Sequence, residues 1–112
     1  MTTYQPIKMT RGEDLVLTGA VTDANGTAVN IAAGTILFTV KNKLSDADAS
    51  KVFQLSGTNL TAGGAFTITI TAASTSTLSL DSRYYDCELT LSALKSTISR
   101  GKFILMPEVT KA

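Results

Sequence analysis

The residues able to do chemistry are few and widely spaced. Histidine is absent and cysteine occurs once, as Cys87. Without histidine the chain lacks the commonest general base, the usual nucleophile triads and most zinc sites. A single cysteine forms no CxxC pair, and as a nucleophile Cys87 has no imidazole to take its proton. It lies in R-Y-Y-D-C-E-L-T-L, residues 83 to 91, where apolar and polar residues alternate. That pattern places it inward, as a small buried apolar side chain.

Three pairs of oxygen-bearing residues have suggestive spacing. Asp46 and Asp48, and likewise Asp23 and Asn25, alternate as calcium-loop ligands do. Neither pair continues to the further oxygens and distal glutamate of an EF-hand. Turn chemistry accounts for D-A-N-G and helix-start chemistry for S-D-A-D. Asp86 and Glu88 share one strand face, where a glycosidase would need a cleft; beside threonines they read as solvated. No phosphate-cradling glycine pattern is present. Arg11, Lys41, Lys43, Arg83, Arg100 and Lys102 are dispersed, without the interleaved aromatics of single-strand binders. The expectation is a scaffold or interaction module with no catalytic residues, cofactor or metal.

The elements that carry these residues are short. The chain has 112 residues, 44% hydrophobic and 17% charged, with net charge +1. It reads as one domain, 1–112, able to bury a core. Its charge balance gives no field for nucleic acid or an anionic membrane. No basic start with an apolar run opens the chain and no segment is long enough to cross a bilayer. With one cysteine, folding in a reducing cytoplasm is expected. The sequons at Asn25 and Asn59 read as turns.

Period two dominates. L-V-L-T-G-A-V-T (15–22) sets Leu15, Leu17, Gly19 and Val21 against Val16, Thr18, Ala20 and Thr22. T-I-L-F-T-V-K-N-K (35–43) puts Ile36, Phe38 and Val40 on one face. K-V-F-Q-L (51–55) and A-F-T-I-T-I-T (65–71) follow, the second with Phe66, Ile68 and Ile70 inward and Gly63-Gly64 at the tip before it. T-A-A-S-T-S-T-L-S-L suits a short helical turn with Leu78 and Leu80 as plugs. The opening segment puts Tyr85, Cys87, Leu89 and Leu91 on one face, and Tyr84, Asp86, Glu88 and Thr90 on the other. A-L-K-S is a turn, and a last strand runs from Thr97 to about Val109. With Q-P-I-K-M-T at the start this makes about seven strands with turn signals between them. The spacing predicts an all-β, immunoglobulin-like antiparallel β-sandwich with one short helical turn, a small barrel being the alternative. Tyr85, two residues before Cys87, has the placement of a tyrosine corner, without the disulfide that accompanies it in antibody domains.

The order of motifs adds a resemblance. R-G-E-D-L-V-L-T (11–18) leads to V-T-D-A-N-G-T-A-V-N-I (21–31), A-G-T-I-L-F-T-V-K (33–41), Y-Y-D-C-E-L (84–89) and S-R-G-K-F-I-L-M-P-E-V-T (99–110). This order resembles the small immunoglobulin-like modules of tailed bacteriophages and prophages. It is similar to the N-terminal domain of the phage baseplate upper protein. Ala28, Asn30 and Cys87 stand where that family usually has proline, aspartate and an aliphatic residue. The resemblance implies a non-enzymatic virion structural protein, a tail or baseplate adaptor or a capsid decoration. It also implies contacts with other virion proteins and a symmetric homo-oligomer such as a ring or trimer. Because the sequence stops after one module, it favours a stand-alone virion protein.

An alternative is a binding module of a bacterial surface or adhesin-like protein. Such a module is expected to carry an export signal, and sugar binding favours an exposed aromatic platform, for which only Tyr4, Tyr84 and Tyr85 could serve. For either function the terminal segments are the expected contact surfaces. Tyr4, Pro6, Ile7 and Met9 form an apolar stripe, and Phe103 and Leu105 lie in the continuous run F-I-L-M; core burial and subunit contact both account for these six residues.

Overall fold

The computed structural model describes residues 3–43 and 51–107. Its strands are β1 (Thr3–Tyr4), β2 (Ile7–Thr10), β3 (Leu15–Ala20), β4 (Thr35–Lys41), β5 (Phe53–Ser56), β6 (Ala65–Ile70), β7 (Ser82–Leu91) and β8 (Leu94–Met106), with one helical turn, α1 (Ala72–Thr75), before β7. β1 and β2 both pair with β8 in the same register, Thr3 opposite Ser99 and Ile7 opposite Phe103. They are one strand interrupted at Pro6, which has no N–H to give the ladder. Counted so, the described residues form seven strands in two sheets.

The larger sheet runs N-terminal strand, β8, β7, β4, β5; the smaller contains β3 and β6 alone. This is the arrangement of an immunoglobulin sandwich, with the strands equivalent to C, F and G in one sheet and B and E in the other. One pairing departs from the antiparallel expectation: the N-terminal strand runs parallel to β8. The first and last strands need no hairpin between them, so nothing forces opposite directions.

Alternation sets the core. Ile36, Phe38 and Val40 of β4 meet Tyr85, Cys87 and Leu89 of β7 and Ile68 and Ile70 of β6, all buried. Phe38 stacks on Tyr85 with ring centroids 5.4 Å apart, and Phe103 presents an edge to Phe53 at 5.8 Å. Such offset and edge-on pairs add to what burial contributes. A β-bulge between Cys87 and Glu88 leaves Ser99 opposite Cys87 but Thr97 opposite Glu88. Ile98 is the extra residue, and the apolar phase of β8 shifts there.

Some boundaries move. The β7–β8 turn is Ser92-Ala93, both with positive φ (52° and 66°), so β8 begins at Leu94 and not at Thr97. Two left-handed residues give a turn whose twist matches the strands. Leu78 packs against the core but Leu80 is exposed. The plug is Thr75, the last residue of α1, fully buried, whose Oγ1 accepts the Gly12 N–H at 2.9 Å. S-D-A-D at 45–48 lies outside the described residues, as does Val109.

Candidate functional site

The terminal stripe is divided by its own alternation. Tyr4 is 71% exposed and Pro6 is exposed, whereas Met9, Phe103 and Leu105 are buried in the chain's own core and Ile7 is half-buried against it. Met9, Phe103 and Leu105 therefore present no side chain to a partner in this fold. Tyr4 is the one large aromatic offered to solvent on this edge. The Arg100 guanidinium sits over its ring, 5.5 Å from the centroid, a cation–π contact. Arg100 lies opposite Asp86 on β7, and Asp86 opposite Thr39 on β4. A row of side chains thus crosses the outer face of the large sheet from Tyr4 inward.

Beneath this edge Tyr85 anchors the N-terminal strand. Its hydroxyl donates to the Gln5 carbonyl at 2.7 Å and lies 3.1 Å from Ser99 Oγ. In a tyrosine corner the hydroxyl reaches backbone only a few residues upstream; Tyr85 instead reaches across the domain to the first strand. Gly101 makes the approach possible, because a Cβ there would fall on the backbone of Gln5. Cys87 is buried and unpaired. Burial first, and the nearby Asp86 charge second, push its thiol from 9.0 up to about 12. At neutral pH it is a protonated thiol, the opposite of an activated nucleophile.

Sequence reasoning passed over Arg83, which proves structural. It is buried, and its guanidinium donates to Asn42 Oδ1 (3.1 Å), to the carbonyls of Ser79 (2.9 Å) and Asp81 (3.2 Å), and to Ser79 Oγ (3.0 Å). Its position was available from parity, since Arg83 shares the inward phase of Tyr85 and Cys87. Asp23, of the first possible calcium pair, turns its Oδ1 to the N–H groups of Asn25 and Thr27 at 2.9 and 3.0 Å. Asp46 and Asp48 lie outside the described residues.

One further feature was not visible in the sequence. A cleft of about 280 Å³ opens between β3 and the N-terminal strand, lined by Ile7, Leu17, Phe66, Ile98, Tyr85 and Cys87 among others. Leu17 and Phe66 on its walls are only half-buried. Gly19 lies on the β3 wall, directly under the Phe66 ring. A smaller cleft of about 240 Å³ lies beside the β7–β8 turn, near the exposed Leu94. Neither the models of known protein families nor the curated proteins yield a match to this chain.

Proposed function

We propose that this chain is a non-enzymatic structural module of a tailed-bacteriophage particle, a tail or baseplate adaptor or a capsid decoration, working through protein–protein contacts in a symmetric assembly. The observation that carries this reading is how the buried polar groups are used. Tyr85, Arg83, Thr75 and Thr39 each end in hydrogen bonds that hold one strand or turn to another. The outside, in turn, offers the exposed apolar groups Tyr4, Val16, Leu80, Leu94 and Met106. The buried polar groups serve rigidity, and recognition is left to edges and the exposed surface. The order of the R-G-E-D, D-A-N-G, Y-Y-D-C and R-G-K-F segments on this sandwich supports the phage assignment.

The test is localisation on particles. Purified virions decorated with antibody against this chain should show label at repeated, symmetry-related positions by electron microscopy. Particles that contain none of the chain would refute the reading. Molar mass alone and after addition to particles lacking the chain reports whether it assembles by itself or on the particle.

A further inference from the structure

The smaller sheet has two strands, and no other described strand pairs with its β3 edge. Among the described residues β3 pairs only with β6. The other side of β6 is covered where Thr58 bridges Thr67. In an immunoglobulin sandwich the first strand pairs with the strand equivalent to β3. Here residues 3–4 and 7–10 pair with β8 instead, so no described strand takes that position.

Exposed edges are ordinarily blunted by proline, lysine, bulges or shortness, because an open row of N–H and C=O groups templates another strand. Two edges of the large sheet follow this rule: the N-terminal strand carries Pro6 and Lys8, and β5 has four residues. β3 has six residues, L-V-L-T-G-A, with no charge, proline or bulge. Val16 stands 59% exposed on its outer side. On its inner side lies the 280 Å³ cleft. A cavity of about 150 Å³ suffices for a benzene ring, so this cleft has room for two medium apolar side chains.

We infer that β3 is a strand-addition site. It takes an extended segment of another protein, apolar at alternate positions and carrying lysine or arginine at its ends. Backbone bonding to β3 extends the small sheet to three strands, and alternate side chains fill the cleft. The charge of the ends follows from what flanks β3: Glu13 and Asp14 precede it and Asp23 follows it, all exposed. Arg11, two residues before Glu13, directs one arm of its guanidinium to the Leu78 carbonyl at 2.9 Å, and Asp14 Oδ1 accepts the Ala72 N–H at 2.7 Å while keeping its charge. The same acids disfavour a second copy as occupant. Antiparallel pairing of β3 with itself brings Glu13 and Asp14 beside Asp23 of the copy, and like charges in that arrangement repel. This inference rests on the reading of the chain as a docking module and names the surface that docks.

The experiment is selection of a random nine-residue synthetic peptide library on the immobilised full chain, followed by titration of the best peptide. Retained sequences should alternate apolar and polar residues and end in lysine or arginine. Amide shifts should concentrate in residues 15–20. Val16→Lys, at an exposed position that leaves the melting temperature in place, should weaken binding at least tenfold. Exchanging the peptide's basic ends for glutamate should do the same. Retention of no peptide, amide shifts at Tyr4–Lys8 or beside Leu94, or unchanged binding to V16K would overturn the proposal. So would a wild-type dimer dispersed by V16K, which would make a second copy the occupant. Incorporation into particles is scored separately, so failure of the edge and failure of the virion assignment are distinguishable.

Discussion

Gly101 and Tyr85 hold the same point of the N-terminal strand, and the two together give a sharp test of how that strand is fixed. A methyl group on Gly101 would lie 2.8 Å from the Gln5 carbonyl carbon and overlap its oxygen. Those are backbone atoms, so the strand itself must shift, at a cost of about 2–3 kcal/mol by the scale of overpacking. The shift breaks the Gln5 N–H bond to Arg100 O (3.0 Å) and the Tyr85 hydroxyl bond to Gln5 O (2.7 Å). Tyr85→Phe alone removes the second of these and the contact with Ser99. At the scale of one neutral hydrogen bond the loss is near 1 kcal/mol, or about 4 °C in Tm. In the double variant the hydroxyl has already lost its partner, so Tyr85→Phe adds almost nothing. Urea unfolding of the four proteins should therefore give a coupling energy of about 1 kcal/mol, with m unchanged. Strict additivity would refute the argument, since it would mean that the Tyr85 bond survives the added methyl or contributes nothing.

Four further outcomes follow from the same geometry. Gly26 and Gly64 both have positive φ, but a Cβ on Gly26 meets open space while one on Gly64 meets the Val21 carbonyl oxygen at 2.6 Å; Gly26→Ala should cost about 1 kcal/mol and Gly64→Ala at least ~3 kcal/mol by thermal unfolding. Arg83→Lys keeps the charge but loses the fork that reaches Asn42, Ser79 and Asp81, and should cost about 2 kcal/mol in the same assay. Below pH 9 the Cys87 thiol is protonated in both folded and unfolded chains; between 9.0 and about 12 only the unfolded chain loses the proton, so the Cys87 contribution to stability should fall by about 1.4 kcal/mol per pH unit, and Cys87→Val should remove that part of the alkaline fall, leaving the part due to Tyr85, whose pKa is also raised by burial. Tyr4→Ser should leave Tm within about 2 °C yet, on the proposed virion role, lower incorporation into particles, whereas Ile7→Ser, packed against the core, should lower both.

Much of the sandwich is legible in single-strand alternation. The inward set Tyr85, Cys87, Leu89 and the outward set Tyr84, Asp86, Glu88 follow from period two, as does the core face of β4. Alternation also decides most of the terminal stripe. Ile7 and Met9 share one phase and Tyr4 and Pro6 the other, so one face of the strand enters the core and the other meets solvent. What period two does not carry is a change of phase within a strand. In β8 strict alternation from Ile98 would turn Arg100 and Lys102 inward; the bulge opposite Cys87 and Glu88 resets the count so that Phe103 and Leu105 enter instead. The Ser92-Ala93 turn is hidden for a different reason: its left-handed residues are neither glycine nor asparagine, so the hairpin's own pairing must hold them there.

The open edge lies beyond sequence reading for a more general reason. L-V-L-T-G-A has the composition of a strand that is half-buried, and the same six residues would serve at the centre of a sheet. Whether β3 is central or terminal depends on where the first strand goes, and that depends on contacts far from β3. The Gln5 carbonyl meets the Tyr85 hydroxyl, Gly101 clears a path for the Gln5 backbone, and Ile7 and Met9 pair in register with Phe103 and Leu105. Each of these draws the N-terminal segment to β8, and a segment paired there cannot also pair with β3. The bonds that hold Tyr4 at the edge of the large sheet are thus the ones that leave β3, among the described residues, with β6 as its one partner. A two-stranded sheet is marginal by itself, so β3 and β6 depend on packing Leu15, Leu17, Ile68 and Ile70 against the larger sheet. A third strand would add its backbone bonds to β3 and cover Leu17 and Phe66, which the chain by itself leaves half-exposed.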